Sequence, residues 1–189
     1  KGENFLSLFV QKLKISHQLL KSQDIVTTDP LLDRTKRRLK ELLDVNPDLK
    51  KNLSRIERFL ESFESKMDHV IHGDIQSSNI LGKHSPVLID WSNVTRGDIF
   101  EDLGSLAEQM AFDAHQEELL LKNYFGEVPA NAKEKLTQYR ILNRFHFGLY
   151  YLREGFKELK DKKSKTPTGR AWMYHPESLQ KGMNLLKDF

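Results

Sequence analysis

Asp74, Asn79 and Asp90 are the residues of this chain whose types and spacing could do chemistry. The asparagine stands five positions after the first aspartate and eleven before the second. A carboxylate oxygen and a carboxamide oxygen are hard donors suited to Mg²⁺, which takes few protein ligands and fills its shell with phosphate oxygens and water. A further carboxylate nearby, off the metal, can accept a proton from a hydroxyl or orient it. Together these meet the needs of phosphoryl transfer from a nucleotide to an alcohol, where positioning and charge neutralisation dominate.

The trio lies within residues 69–91, HVIHGDIQSSNILGKHSPVLIDW. Two β-branched runs, His69–His72 and Pro86–Ile89, each deliver an acid: Asp74 in a polar loop, Asp90 at the end of the second run. Val70-Ile71, Ile80-Leu81 and Val87-Leu88-Ile89 are too short for helices and rich in strand formers. A lone His-Gly-Asp triplet is commonplace, since strands often run into Gly-Asp turns, and an Asp closing a strand is often only a cap. The joint pattern is rarer. His72-Gly73-Asp74, Asn79 at that offset and then Ile89-Asp90-Trp91 resemble the catalytic core of the aminoglycoside phosphotransferase and choline kinase family, relatives of the protein kinases. The spacing also matches the kinase loop H-R-D-x-x-x-x-N, with Gly73 in the Arg place.

The resemblance implies a role for each residue. Asp74 matches the catalytic aspartate, Asn79 the metal-binding asparagine and Asp90 the second metal ligand, both of the latter also binding the nucleotide. His72 matches the loop histidine that supports the catalytic residues, and Trp91 stands where kinases have Phe. Gln76, Ser77 and Ser78 depart from the family's usual loop interior, and Ser78 fits only if its backbone avoids positive φ. The segment Gly97-Asp98-x-x-x-Asp102-Leu103 resembles the family's G-D-x-x-x-D-L, whose acids brace the active-site loops. The implied cofactors are Mg²⁺ and ATP or another nucleoside triphosphate, and the implied partner is a small-molecule hydroxyl acceptor.

The elements that must position these residues are mostly helical. Phe5, Leu6, Phe9, Leu13, His17 and Leu20 share one face of a helix over residues 3–21, where His17 reads as a face residue rather than a ligand. Asp29-Pro30 and Asn46-Pro47 each give an N-cap followed by proline, opening helices to about Leu43 and to about Lys66. Thr35-Lys36-Arg37-Arg38 with Lys40 could attract an anion, though a solvated helix face is the commoner meaning. Leu49, Leu53, Ile56, Phe59, Leu60 and Phe63 form the buried stripe of the third helix. Arg96-Gly97-Asp98 starts another, with Asp98 and Glu101 close to a capping box. A helix over Glu117–Phe125 stops at Gly126, and residues 130–159 give the longest helical pattern. On it, Arg140 and Arg144 reach either the pocket or acids on a neighbouring helix, the second being preferred. Tyr139, Phe145, Phe147, Tyr150 and Tyr151 read as core. A basic flexible link, Lys160–Lys165, leads to a last helix from about Glu177. Trp172-Met173-Tyr174-His175 either folds back or lines an acceptor pocket.

The expected fold is mainly α with a small β element (α+β), a kinase-like carboxy-terminal lobe. The 189 residues are enough for one domain with a real core. Basic and acidic residues, 30 and 27, are near balance, which by itself argues neither for nor against nucleic acid; no nucleic-acid partner is expected. No cysteine is present, which excludes disulfides and thiolate chemistry and suits the cytoplasm. No apolar run approaches a membrane span. Nothing before Asp74 reads as the Gly-rich loop, strand lysine and helix glutamate that clamp the nucleotide in a complete kinase. The amino-terminal lobe is therefore expected to lie outside this chain, leaving apolar surface uncovered near the first helix and the strand pair. Three readings stay open: a small-molecule kinase, a non-catalytic pseudokinase-like binding module, and a helical interaction domain with a chance motif.

Overall fold

The computed structural model describes residues 2–19, 29–44, 46–64, 66–82, 84–164 and 184. They form two compact units, Lys1–Leu31 with Glu64–Asn143, and Leu32–Phe63 with Arg144–Phe189. The first holds all the candidate site residues.

In the first unit, helix α1 (Gly2–Leu19) buries Leu6, Phe9, Val10, Leu13 and His17. That spacing of three and four is the inward stripe of an amphipathic helix. Strand β1 (His69–Ile71) packs beneath α1. Its antiparallel partner is β4 (Thr95–Gly97), with Val70 opposite Arg96. A separate hairpin pairs β2 (Ile80–Leu81) with β3 (Val87–Leu88), Ile80 facing Leu88. The runs leading to Asp74 and Asp90 thus belong to two different sheets. Arg96 and Gly97, expected to begin a helix, lie in strand β4 instead.

Helix α5 (Ile99–Gln109) starts one turn later than Arg96, capped by Asp98, whose side chain accepts from the Phe100 amide at 3.0 Å. The expected capping box is not made. Glu101 instead accepts from the Leu31 amide at 2.9 Å, satisfying a donor elsewhere in the unit. Helix α6 (Ala114–Phe125) carries a true capping box, Asp113 with Gln116, and ends at Gly126 in the left-handed region. Helix α7 (Ala132–Ser164) gives its residues up to Asn143 to this unit. It approaches α5 closely at Gly104, where an added Cβ would lie 2.7 Å from that of Tyr139.

In the second unit, helix α2 (Leu31–Leu42) places Thr35, Leu39 and Leu42 inside. The long helix expected to Lys66 is two: α3 (Pro47–Lys51) and α4 (Leu53–Glu61). Asn52 separates them at φ −100°, ψ 5°, a break suited to a side chain that competes for backbone hydrogen bonds. Leu49, Ile56 and Leu60 are buried, whereas Phe59 and Phe63 are half-covered and stack edge to face at 5.1 Å. Phe145 is buried but Tyr150 is exposed, so the aromatic stripe of α7 is only partly core. α7 also runs on to Ser164 where a flexible link was expected, because Lys, Asp and Glu continue a helix and no Gly or Pro intervenes before Pro167. The Trp172–His175 patch and the last helix fall outside the described residues.

Candidate active site

His72 organises the loop. It is fully buried, and its Nδ1 accepts the Asp74 amide at 3.3 Å. The ring proton therefore sits on Nε2, which donates to the Ile89 carbonyl at 3.0 Å. From the other side, the Ile89 amide donates to the Asn79 carbonyl at 2.9 Å. Both polar groups of Ile89 are thus gripped by the His72–Asn79 loop, and the next residue is Asp90. This clamp brings together the three residues picked out by spacing.

Asp74 is half-buried at the loop's centre. Its Oδ2 accepts from Gln76 Nε2 at 3.1 Å, Asn79 Nδ2 at 3.2 Å and Asn93 Nδ2 at 3.4 Å. No hydrogen bond reaches Oδ1 among the described residues, so one oxygen is anchored and the other is available to a proton donor. Asn79 is buried, and its NH₂ also donates to the Asp74 carbonyl at 3.0 Å. Both side-chain bonds to Asp74 use nitrogen, and the amide oxygen accepts only from the Ser78 hydroxyl, at 3.5 Å, among the described residues. Ser78 is not at positive φ, so serine is tolerated there.

Asp90 sits in the left-handed region at φ 60°, ψ 69°. For a residue with a Cβ that conformation costs about 1–2 kcal/mol. Ser92 compensates: its hydroxyl donates to Asp90 Oδ1 at 2.7 Å and its amide at 3.4 Å. The same two bonds, hydroxyl first, hold the carboxyl below its ordinary range. Asp90 is exposed, with its second oxygen unbonded among the described residues. Trp91 fixes the turn by donating to the Leu88 carbonyl at 3.2 Å and standing edge to face on His72 at 4.7 Å.

Below the loop lies Asp102, fully buried. Its two oxygens accept the His72 and Gly73 amides at 2.8 and 2.9 Å. His17 of α1 reaches the same carboxylate through Nε2 at 2.9 Å, and its Nδ1 meets the Tyr124 hydroxyl at 2.7 Å. Burial pushes the Asp102 carboxyl up, but His17, by hydrogen bond and charge, and the two amides outweigh it and hold it below the usual range. The bracing role implied for Asp102 is what the geometry gives. His17 lies on the buried face of α1, as its spacing leads one to expect, and there it is a member of this network. Ser105 adds a bond from α5 to the Ile75 carbonyl at 2.6 Å. Gly73 is required here: its φ is +75° and a Cβ would lie 2.6 Å from the Asn93 carbonyl oxygen.

The model of the phosphotransferase enzyme family matches residues 12–135. The chain belongs to that family.

Solved structures similar to this chain include a choline/ethanolamine kinase family protein from Mesorhizobium loti, 18% identical, TM-score 0.67. That match covers 97% of this chain and 62% of the other. The choline kinase LicA from Streptococcus pneumoniae is 16% identical with a TM-score of 0.63, over 99% of this chain and 64% of LicA. The chain thus spans less than two thirds of the length of either. No curated protein sequence matches it. At these identities the likeness is one of fold.

The donor set at this loop suits a small divalent cation: one amide oxygen from Asn79 and one carboxylate oxygen from Asp90. No group of three or more His, Asp or Glu side chains gathers at one point among the described residues. Two protein ligands fit Mg²⁺, which completes its shell with phosphate and water. Arg140 does not serve the site. It pairs with Glu108 at 3.4 Å and with Glu117, as expected of an intramolecular brace. Apolar side chains do lie uncovered on the β2–β3 hairpin, at Leu81, Val87 and Ile89, and on α1 at Leu8 and Ile15. Lys12 of α1 ties the two together by donating to the Pro86 carbonyl at 2.9 Å. Gln76 and Asn93 escaped sequence reasoning. Gln76 lies in the loop interior that departed from pattern, whereas Asn93 had no signal of its own.

Proposed function

We propose that this chain is the catalytic, carboxy-terminal lobe of a kinase that phosphorylates a hydroxyl of a small molecule, using ATP or another nucleoside triphosphate. The observation that carries this reading is the grip of His72 and Asn79 on the two polar groups of Ile89. It joins a carboxylate with one open oxygen to two further oxygen donors, the Asn79 amide oxygen and the Asp90 carboxylate. Asp74 Oδ1 accepts the acceptor's proton as its oxygen bonds to the γ-phosphorus, while the bond to the bridging oxygen breaks and the nucleoside diphosphate leaves. Mg²⁺ held by Asn79 Oδ1 and Asp90 would neutralise phosphate charge. Leu81 and Ile89, uncovered beside those two ligands, offer an apolar floor to a nucleotide base.

A nucleotide-clamping lobe elsewhere in the parent protein completes the reading, and a cytoplasmic setting supplies the nucleotide. The choline and ethanolamine kinases that share the fold suggest amino alcohols as one acceptor class, beside aminoglycosides and sugars. The test is phosphorus NMR of the full-length parent with MgATP and each acceptor class in turn. Acceptor-dependent appearance of a phosphomonoester, abolished by EDTA, supports the reading. MgATP binding with no phosphorylated product from any class would instead make the protein a binding module.

A further inference from the structure

Arg38, on the basic face of α2, does not behave as a solvated residue. Its Nη1 donates to His146 Nε2 at 2.7 Å and to the His146 carbonyl at 3.5 Å. Its guanidinium carbon lies 5.2 Å from the centre of the Tyr150 ring. Because His146 Nε2 accepts that bond, its proton is on Nδ1, facing the Thr35 hydroxyl at 2.9 Å. Burial, followed by the charges of Arg38 and Arg34, keeps this imidazole neutral by lowering its pKa well below 6.5. Every direct partner of Arg38 is therefore uncharged. Partly buried cations ordinarily find a carboxylate.

The acids nearby are committed elsewhere. Glu41 and Glu154 pair with Arg153 at 3.5 and 3.4 Å. Burial, then Arg153 and Arg34, weaken the hold of Arg38 on its proton and bring its pKa down to about 10, and Glu41 is the weakest influence. Arg38 Nε is sealed from solvent without an acceptor. Nη2 also makes no hydrogen bond among the described residues, yet it is not sealed. The Nε–Nη2 edge is the side of a guanidinium that binds an oxyanion through two parallel bonds.

We infer that this edge of Arg38, with Arg34 and Arg153 beside it, is a binding site for a small oxyanion, a phosphate or carboxylate group. An anion arriving from solvent meets Nη2 first and finds Nε behind it. It supplies the negative charge that the direct partners of Arg38 lack, and it offsets the charges of Arg153 and Arg34 that weaken the hold of Arg38 on its proton. The site lies within the second unit and does not depend on the phosphotransfer reading.

The test titrates inorganic phosphate, and separately acetate, into the 189-residue chain at constant ionic strength. The readouts are the arginine Nε–H resonances and the melting temperature. Arg38→Lys identifies the Arg38 resonance by its loss. We expect that resonance to shift saturably with at least one anion and the melting temperature to rise with it. Arg38→Lys keeps the charge but not the fork, so apparent affinity should fall about tenfold. Arg38→Gln should abolish the response, and Lys36→Gln, on an exposed position of the same helix, should preserve it. A stationary Arg38 resonance with both anions would overturn the inference. So would equal losses in Arg38→Gln and Lys36→Gln, or undiminished binding by Arg38→Lys. The resonance titration on the unsubstituted chain decides the matter even if Arg38→Gln does not fold.

Discussion

A carboxylate with one oxygen held by three N–H donors and the other left open is oriented before any substrate arrives. That is the state of Asp74, and the orientation is inherited from further down. Asp102 fixes the His72 and Gly73 amides, and His17 fixes Asp102. Removing the imidazole in His17→Ala leaves a buried carboxylate and the Tyr124 hydroxyl short of a partner. Breaking such a pair from one side costs roughly 3–5 kcal/mol. Chemical denaturation should show a loss of that order, and a loss under 1 kcal/mol would mean that Asp102 is held well enough by the amides alone. Asp74, Asn79 and Asp90 were legible because their offsets are short and their neighbours carry the strand pattern. His17 was not, since its partners are 85 and 107 residues away and a helix-face histidine has no local signature.

At the scale of elements, the helices were readable from caps and stripes, and the misses fall where an element is too short to have a period. Thr95–Gly97 is three residues long, and its pairing with His69–Ile71 is set by long-range packing. A Cβ on Gly97 would lie 2.5 Å from Ile71 Cδ1, so the end of that buried side chain would have to turn to make room. The contact between α5 and α7 is equally specific. At Gly104, alanine would favour the helix by about 0.5–1 kcal/mol. Its Cβ would also lie 2.7 Å from Tyr139 Cβ and 2.9 Å from the Tyr139 carbonyl carbon, and backbone cannot rotate away. Overpacking of this kind costs about 1–3 kcal/mol, so the clash outweighs the propensity. Gly104→Ala is therefore expected to be net destabilising by about 1–2 kcal/mol in urea unfolding. A gain in stability would show that the helices can separate without loss.

For the whole molecule, His146 links stability to pH. Its folded pKa lies well below the ordinary 6.5, so the unfolded chain takes up a proton that the folded chain refuses. Its contribution is complete above pH 6.5 and is lost progressively as pH falls from there toward the folded value. Melting temperature should decline from pH 7.5 to 5.5, and His146→Gln should flatten that decline. An unchanged pH profile in the variant would remove His146 as its source.

Catalysis needs both ends of the phosphate chain held at once, so residues 1–189 alone should bind nucleotide weakly and transfer little or no phosphate. Robust ATP-dependent phosphorylation of a small acceptor by these residues would contradict the lobe assignment. The most direct test compares two substitutions in the full-length parent by steady-state kinetics and nucleotide titration at several Mg²⁺ concentrations. Asp74→Asn should lower turnover by about two to four orders of magnitude with MgATP affinity nearly unchanged, the range of positioned acid–base help. Asp90→Asn should weaken Mg²⁺-dependent nucleotide binding as well as turnover, with partial rescue by added metal. Loss of MgATP binding in Asp74→Asn, with binding intact in Asp90→Asn, would contradict the assignment of proton acceptor and metal ligand.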